Sequence, residues 1–435
     1  MKTFESMNLF APLERALAEQ NYQQPTPIQF KTIPPAIKGL DILGCAQTGT
    51  GKTAAFALPI LDYLGHERPP AKPNRPTALV LAPTRELAIQ IADSFRAYGK
   101  HMQFRQVLVY GGVGQGQQIG ALRQGADILI ATPGRLLDLM DQGHVDLSNI
   151  QIFVLDEADR MLDMGFMPVL KRILAALPRQ RQSLFFSATL SPNIRQLAAT
   201  LLFNPVSVTV IGSSKTVERI EQSIRFVQRE NKLTSLCGLL SGDGVDRAIV
   251  FTRTKHGANA LAKKLDRAGI HATAIHGNKS QNARQRALDA FRKKDVTVLV
   301  ATDVAARGID IDGVTHVINY DMPVDPESYV HRIGRTARAG AKGIAISFCT
   351  ADEIDELHDI ERLLGAKLQV ENPEARPESA SPARKTQVGP RRSKRGRRTI
   401  ALDAETQSGT QPKYRRVHKK NGSTRANKRQ RSAMA

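Results

Sequence analysis

Asp41-Ile42-Leu43-Gly44-Cys45-Ala46-Gln47-Thr48-Gly49-Thr50-Gly51-Lys52-Thr53-Ala54-Ala55-Phe56, or DILGCAQTGTGKTAAF, decides how the rest of this chain is read. Ile42–Cys45 is an apolar run of strand character, and Ala54-Ala55-Phe56 opens a helix. A strand, a glycine-bearing turn and a helix start in this order turn several backbone N–H groups toward one phosphate. Within that loop, Ala46, Gln47, Thr48, Gly49, Thr50 and Gly51 shape the cradle. Lys52 is placed to neutralise phosphate oxygens, and Thr53 offers a hydroxyl to Mg²⁺. The generic pattern has glycine where Ala46 stands.

Further along, Gln151-Ile152-Phe153-Val154-Leu155 reads as a buried strand ending in Asp156-Glu157-Ala158-Asp159. A carboxylate at the C-terminal end of a strand faces the crevice where α/β folds bind ligands. Asp156 suits Mg²⁺, and Glu157 suits orienting and deprotonating a water. An acid-rich helix start would look the same, since acids favour the helix N-terminus. Lys52 upstream tips the reading toward catalysis.

The rhythm around these two motifs is that of parallel sheets. Apolar runs at Asp41–Ala46, Thr77–Ala82, Val107–Tyr110, Asp127–Ala131, Ile152–Leu155 and Ser183–Phe186 alternate with helical stretches such as Glu86–Tyr98. A second series runs through Ala248–Phe251, Ala272–Ile275, Val296–Ala301, Val314–Asn319 and Gly343–Phe348, with helices at Gly257–Ala268 and Asn282–Phe291. Strands that are apolar throughout, separated by helices, imply sheets covered on both faces. So many strands exceed one compact sheet, and the polar stretch IGSSKT at 211–216 is the natural break. The reading is two α/β domains, 1–210 and 217–370. The second lacks a phosphate loop, because its strand Ala248–Phe251 leads into Thr252-Arg253-Thr254-Lys255 without Gly-Lys-Thr.

The 435 residues carry 62 Lys+Arg against 41 Asp+Glu, a net +21. That balance excludes an acidic, solvating protein and points to a polyanionic partner. Residues 371–435 hold 18 Lys+Arg and 5 Asp+Glu, so the end of the chain carries most of the excess. Its segments ENPEARPESASPARK, SKRGRR and KYRRVHKK are too poor in apolar residues to offset chain entropy, which predicts a disordered basic tail. With Tyr414 as its one aromatic, the tail would hold a polyanion electrostatically rather than by stacking. Three scattered cysteines form neither a disulfide framework nor a zinc pattern, and neither a signal peptide nor a membrane span is legible. The expected compartment is the reducing cytoplasm.

Taken together with Asp156-Glu157-Ala158-Asp159, the chain resembles the DEAD-box RNA helicases, closest to the bacterial RhlE-type group. The resemblance covers about residues 4–365. It rests also on Pro25-Thr26-Pro27-Ile28-Gln29, Pro83-Thr84-Arg85-Glu86-Leu87, Gly111-Gly112, Thr132-Pro133-Gly134-Arg135 and Ser187-Ala188-Thr189. In the second half it rests on Gln281 with Arg284, Ala301-Thr302-Asp303 through Arg307-Gly308-Ile309-Asp310, and His331-Arg332-Ile333-Gly334-Arg335-Thr336-Ala337-Arg338. The family often has alanine where Ala46 stands, and commonly has glycine where this chain has Ala337.

The resemblance implies two tandem RecA-like domains and an RNA-dependent ATPase using ATP and Mg²⁺. By the same token Gln29 contacts the adenine edge and Tyr22 stacks on its face, although a tyrosine there could equally be core. Asp310 reaches the ribose, and Thr53 with Asp156 serves Mg²⁺. Arg335 and Arg338 are arginine fingers from the second domain, and His331 links their block to the acid run. Asp159, Ser187 and Thr189 couple hydrolysis to unwinding, through the hydroxyls on Asp159. RNA lies along Pro83, Thr84, Arg85, Gly111, Gly112, Thr132, Pro133, Gly134 and Arg135 of the first domain, and Arg253, Gln281, Arg284 and Thr302 of the second. Arginines and glycines grip phosphates without reading bases, so sequence specificity should be weak and RNA favoured over DNA. The implied activity is local unwinding of short duplexes or remodelling of RNA–protein complexes. An ATP-gated RNA clamp with little net unwinding uses the same residues. Protein partners, such as ribosome-assembly or RNA-decay factors, stay open.

Overall fold

The computed structural model describes residues 3–47, 49–67, 70–210, 219–303, 311, 313–337 and 342–375. Thr48, Asp310, Arg338, the 211–216 break and the chain from 376 onward lie outside the described residues. The first sheet holds β1 (Ile42–Ala46), β2 (Ala78–Leu81), β3 (Gln106–Val109), β4 (Ile128–Ala131), β5 (Ile152–Leu155), β6 (Gln182–Ser187) and β7 (Val206–Val210), in the order β3-β4-β2-β5-β6-β1-β7. Every pairing is parallel.

The second sheet holds β8 (Ile220–Phe226), β9 (Ala248–Phe251), β10 (Ala272–Ile275), β11 (Val298–Ala301), β12 (His316–Asn319), β13 (Gly343–Cys349) and β14 (Gln369–Val370). Its order, β10-β11-β9-β12-β13-β8-β14, is again wholly parallel. These are two tandem RecA-like domains.

Alternation along each strand explains the layering. Ala78 and Val80 enter one apolar cluster with the Lys52–Glu67 and Arg85–Tyr98 helices, whereas Leu79 and Leu81 enter the other with Leu136, Met161 and Ile194. In the second domain Ala248 and Val250 face Leu261 and Leu265, while Ile249 and Phe251 face Leu288 and Phe291. Both sheet faces are therefore dry, as the uninterrupted apolar runs required.

The apolar runs read from the sequence leave out three strands, β7, β8 and β14. β8 reads IEQSIRF, with polar residues at alternate positions, because β14 gives it only a two-residue neighbour on its outer side. β14 lies at the very end of the second domain. Just beyond it, Glu371 accepts from Ser223 Oγ (2.5 Å) and Arg225 Nε (2.6 Å), and Asn372 exchanges two hydrogen bonds with Phe226 (2.9 and 2.8 Å). The described chain thus stays fastened to the second sheet past 371, where composition alone places the start of the tail. No helix among the described residues is long and apolar enough to cross a membrane.

Candidate active site

β5, β6 and β1 are neighbours, so the loop after β1 and the acids after β5 flank the end of β6. The loop is tightly wound. Gly49 and Gly51 have φ of +78° and +92°, where a side chain is strained. At Gly51 a Cβ would also fall 2.4 Å from Gln29 Nε2. Thr50 Oγ1 donates to Gln47 O (2.8 Å), and the buried Lys52 ammonium donates to Ala46 O (2.8 Å). Lys52 begins the Lys52–Glu67 helix, so its charge and the helix N-terminus point the same way.

Gln29 begins to explain the Pro-Thr-Pro-Ile-Gln run. It is the third residue of the Pro27–Ile37 helix and completes a capping box with Thr26. Its Oε1 accepts from Thr26 N–H (2.9 Å), and its Nε2 donates to Gly51 O (3.2 Å). An amide has two donors and two lone pairs, so one of each is left for a ligand.

Asp156 and Glu157 lie buried together. Burial drives Asp156 up to about 7, against the pull of Lys52 and with the push of Glu157 and Asp159. Burial also works on Glu157, but Arg160, Lys52 and Arg335 outweigh it and hold that carboxyl below its usual range. Arg160 pairs with Glu157 directly. Glu157 sits at φ +52°, a left-handed corner between β5 and the Ala158–Asp163 helix that carries both acids over the strand end.

A cavity of about 370 Å³ joins these groups. Tyr22 and Gln29 lie in its wall together with Gly49, Gly51, Lys52, Thr53, Asp156 and Glu157, and Arg335 enters from the second domain. Arg335 Nε donates to His331 O (3.1 Å), which holds it against its own helix end. Arg332, three residues earlier in the same motif, has another fate. It is locked in a bidentate pair with Asp303 (2.6 and 2.8 Å), bonds Asn319 and Asp321 O, and lies over Phe251. Arg332 is therefore a structural anchor, and Arg335 is the arginine of this motif that faces the cavity among the described residues.

Ser187 and Thr189 divide unequally. Asp159 Oδ2 accepts from Ala188 N–H (2.9 Å), Thr189 N–H (3.0 Å) and Thr189 Oγ1 (3.4 Å). Ser187 Oγ is buried and makes no hydrogen bond in the structure, so the expected contact of both hydroxyls with Asp159 is corrected to one hydroxyl and two amides. Ser187 is the last residue of β6 and points into its packing, whereas the chain has turned by Thr189.

The expected nucleic-acid groove converges across the two domains. Arg85 lies in the space left by Gly112, where a Cβ would fall 2.1 Å from its guanidinium, and Gly111 is alongside. Arg85 Nη1 reaches Gln281 Oε1 (3.4 Å). Burial, Arg284 and Arg135 together lower the Arg85 pKa, which marks three arginines gathered in one place. Arg135 donates to Val113 O (3.4 Å) from the start of the Pro133–Asp141 helix, whose N-cap is Thr132. Gly134 has open space where a side chain would stand. Pro83 is buried, and Thr84 caps the Arg85–Tyr98 helix by accepting from Leu87 N–H (3.3 Å). Thr302 is buried just past β11. Arg253 is already held by Glu353 (3.3 Å) and Met322 O (3.3 Å), a tether that its sequence context does not reveal.

Glu86 is the residue sequence reasoning passed over. It is 2% exposed, accepts from Gln281 Nε2 (3.0 Å) and pairs with Arg284 (3.0 Å). An acid inside Pro-Thr-Arg-Glu-Leu looks like an ordinary first-turn glutamate, and only the fold brings the second domain onto it. Leu87, Ser94 and Tyr98 of the same helix, also unassigned from sequence, line the cavity.

Residues 26–197 match the family described as DEAD/DEAH box helicase, and residues 231–340 the helicase conserved C-terminal domain. The DEAD-box ATP-dependent RNA helicase CshA of Bacillus cereus is 44% identical over 368 residues, covering 85% of this chain and 69% of that protein. CshA of Geobacillus kaustophilus is 43% identical over 369 residues, covering 85% and 78%. Among solved structures, Saccharomyces cerevisiae Dbp5 bound to RNA and ADP BeF3 matches with a TM-score of 0.76 at 34% identity, covering 85% of this chain and 95% of that one. The DEAD-box helicase Mss116 bound to single-stranded RNA and UDP-BeF matches with 0.77 at 28% identity, covering 87% and 84%. One phosphate loop answered by an arginine from a second parallel-sheet domain defines a two-lobed RecA-like nucleoside triphosphatase. With these relatives, the chain belongs to the DEAD-box ATP-dependent RNA helicase family. It is an ATP-hydrolysing RNA helicase.

Proposed function

We propose that one ATP, bound between domains 1–210 and 217–370, controls whether the two lobes grip an RNA strand, and that the basic tail from 376 adds electrostatic hold on RNA. The observation that carries this is the single cavity shared by Lys52, Asp156, Glu157 and Arg335. Tyr22 stacks on the base, and the spare N–H and lone pair of Gln29 match the acceptor and donor of the adenine edge. By the family resemblance, Asp310 would serve the ribose.

The donor set fits Mg²⁺, a hard cation that keeps several waters and takes few protein ligands. The Thr53 hydroxyl and Asp156 carboxylate would hold it, with the triphosphate supplying the rest. When bound, the ion neutralises charge on the β- and γ-phosphates.

Glu157 is a carboxylate at neutral pH, so it orients the attacking water as an acceptor. Once Lys52 and Arg335 bond phosphate oxygens, less of their field falls on Glu157, and its affinity for a proton rises. Water then adds to the γ-phosphorus, the bond to the β-phosphate oxygen breaks, and the water proton passes to Glu157. Arg335, and by the family resemblance Arg338, stabilise the transferring phosphoryl group, a role typically worth ~10³–10⁵ in rate. His331 and the Asp159–Thr189 contact carry the change to the groove.

In the groove, Pro83, Thr84, Arg85, Gly111, Gly112, Thr132, Pro133, Gly134 and Arg135 meet Arg253, Gln281, Arg284 and Thr302 along one backbone. Closure bends that strand and pries open a short duplex, which favours unwinding over a passive clamp. The RhlE-type placement rests on the motifs alone, since the relatives described above carry the CshA name. A cytoplasmic location agrees with the three unpaired cysteines.

ATP hydrolysis measured with RNA, with DNA and with neither tests the reading, and RNA alone should stimulate it. Glu157→Gln should keep ATP and RNA binding while turnover falls ~10²–10⁴-fold. Equal rates with and without RNA would overturn the proposal.

A further inference from the structure

The face of Tyr22 toward the cavity is set by a hydroxyl chain that reaches into the Arg85–Tyr98 helix. Tyr22 Oη lies 3.2 Å from Tyr98 Oη, and the rings pack edge to face at 5.8 Å and 80°. Ser94, four residues back on the same helix, is the next hydroxyl beside Tyr98. Ser94 Oγ in turn donates to the Gln90 carbonyl oxygen (2.9 Å).

Either phenol can donate in the Tyr22–Tyr98 pair. Tyr98 is buried, so its hydroxyl would be costly to leave without such partners. Its burial, and the neighbouring Tyr22, push that phenol above its ordinary range against a smaller opposing pull from Ser94, which keeps it neutral.

The backbone holds the same register. Gln20, at the end of the Ala11–Glu19 helix, donates to Ala97 O (3.0 Å), the residue beside Tyr98. Asn21 then turns left-handed at φ +59°, and Tyr22 N–H returns to Leu17 O (3.0 Å). One contact fixes where the Tyr22 backbone sits, and the hydroxyl chain fixes how its ring is turned.

We propose that Tyr98, supported by Ser94, is a positioning residue for nucleotide-base recognition, aligning the Tyr22 ring that stacks on adenine. This rests on the stacking reading of Tyr22 and extends it. Tyr98 touches no reacting atom; its effect passes through Tyr22. It should therefore alter binding of nucleotides with a base and leave binding of the bare phosphate chain alone.

The test is equilibrium binding of ADP and of inorganic tripolyphosphate to the full chain and its variants. Removing one neutral hydrogen bond of ~0.5–1.5 kcal/mol corresponds to a roughly twofold to tenfold rise in Kd. Tyr98→Phe should raise the ADP Kd by that factor without changing the tripolyphosphate Kd, and Ser94→Ala should do so more weakly. Tyr22→Phe cuts the same chain from its other end, so the double variant should bind ADP no worse than the worse single variant. Additive losses, or equal weakening for both ligands, would overturn the relay. Tyr22→Ala separates the two ideas. Unchanged ADP binding there refutes base stacking itself, whereas weakened binding there with Tyr98→Phe unaffected refutes only the relay.

Discussion

Asp156 and Glu157 are neighbours in the chain with opposite electrostatic fates, and the difference is checkable by pH. Asp156 titrates near 3.8 when unfolded and near 7 in the folded protein. Between those values the native state keeps a proton that the unfolded chain has lost, so this residue's contribution to stability falls as pH rises through the window. Above about 7 the whole cost of a buried carboxylate is present. Asp156→Asn never ionises. Its Tm relative to wild type should climb as pH is raised across that window, and a flat difference would refute the assignment. Glu157, held low, has the opposite sign: it stabilises above its unfolded pKa and loses that contribution as pH falls.

Ala337 shows the same residue-level logic in the backbone. Its φ is +56°, which accounts for the glycine common at this position in the family. A left-handed alanine costs roughly 1–2 kcal/mol, but the methyl is buried against Ile333 and Tyr329 and returns about 0.8 kcal/mol. Ala337→Gly should thus stay within about 1 kcal/mol of wild type, because the two effects oppose each other. Ala337→Val should destabilise by more than about 2 kcal/mol, since a β-branched residue is a true outlier there. Denaturant midpoints at constant slope distinguish the two outcomes.

Among the elements, the Arg85–Tyr98 helix does two jobs at once. Its first turn places Arg85 and Glu86 against Gln281 and Arg284 of the other domain, and its last turn places Tyr98 against Tyr22. At 1.5 Å per residue, one rigid rod of roughly 20 Å connects the Gln281–Arg284 contact to the Tyr22 end of the cavity. Glu86→Gln keeps the acceptor for Gln281 but removes the charge facing Arg284. A close charge pair across an interface couples by ~1.5 kcal/mol or more, so the RNA concentration that half-saturates ATP hydrolysis should rise roughly tenfold or more. No rise would mean that this pair does not hold the lobes together. The helix itself was plain from its apolar spacing; its two end functions were not, because Glu86 and Tyr98 differ from ordinary helix residues only in what the fold brings beside them.

For the whole molecule, charge and connectivity set the expectations. Residues 376–435 carry 18 Lys+Arg and 3 Asp+Glu. Deleting them should weaken RNA binding and flatten its salt dependence by about 0.7 per phosphate no longer neutralised. An unchanged affinity and slope would show the tail to be only a solvated end.

Local chemistry determined a great deal of this protein from its letters alone. Glycines and Lys52 after one strand, acids after another, and uninterrupted apolar runs each carry their meaning within a few residues, because backbone sterics and burial on both sheet faces act at short range. The polar strand β8 was hidden because its neighbours are remote in sequence and its pattern does not state which sheet will cover it. Only the tertiary structure decided that Arg332 is anchored on Asp303, that Thr189 and not Ser187 meets Asp159, and that Glu86 serves the second domain. Each of those choices turns on which groups from distant segments compete for the same side chain, and such competition exists only once the chain is folded.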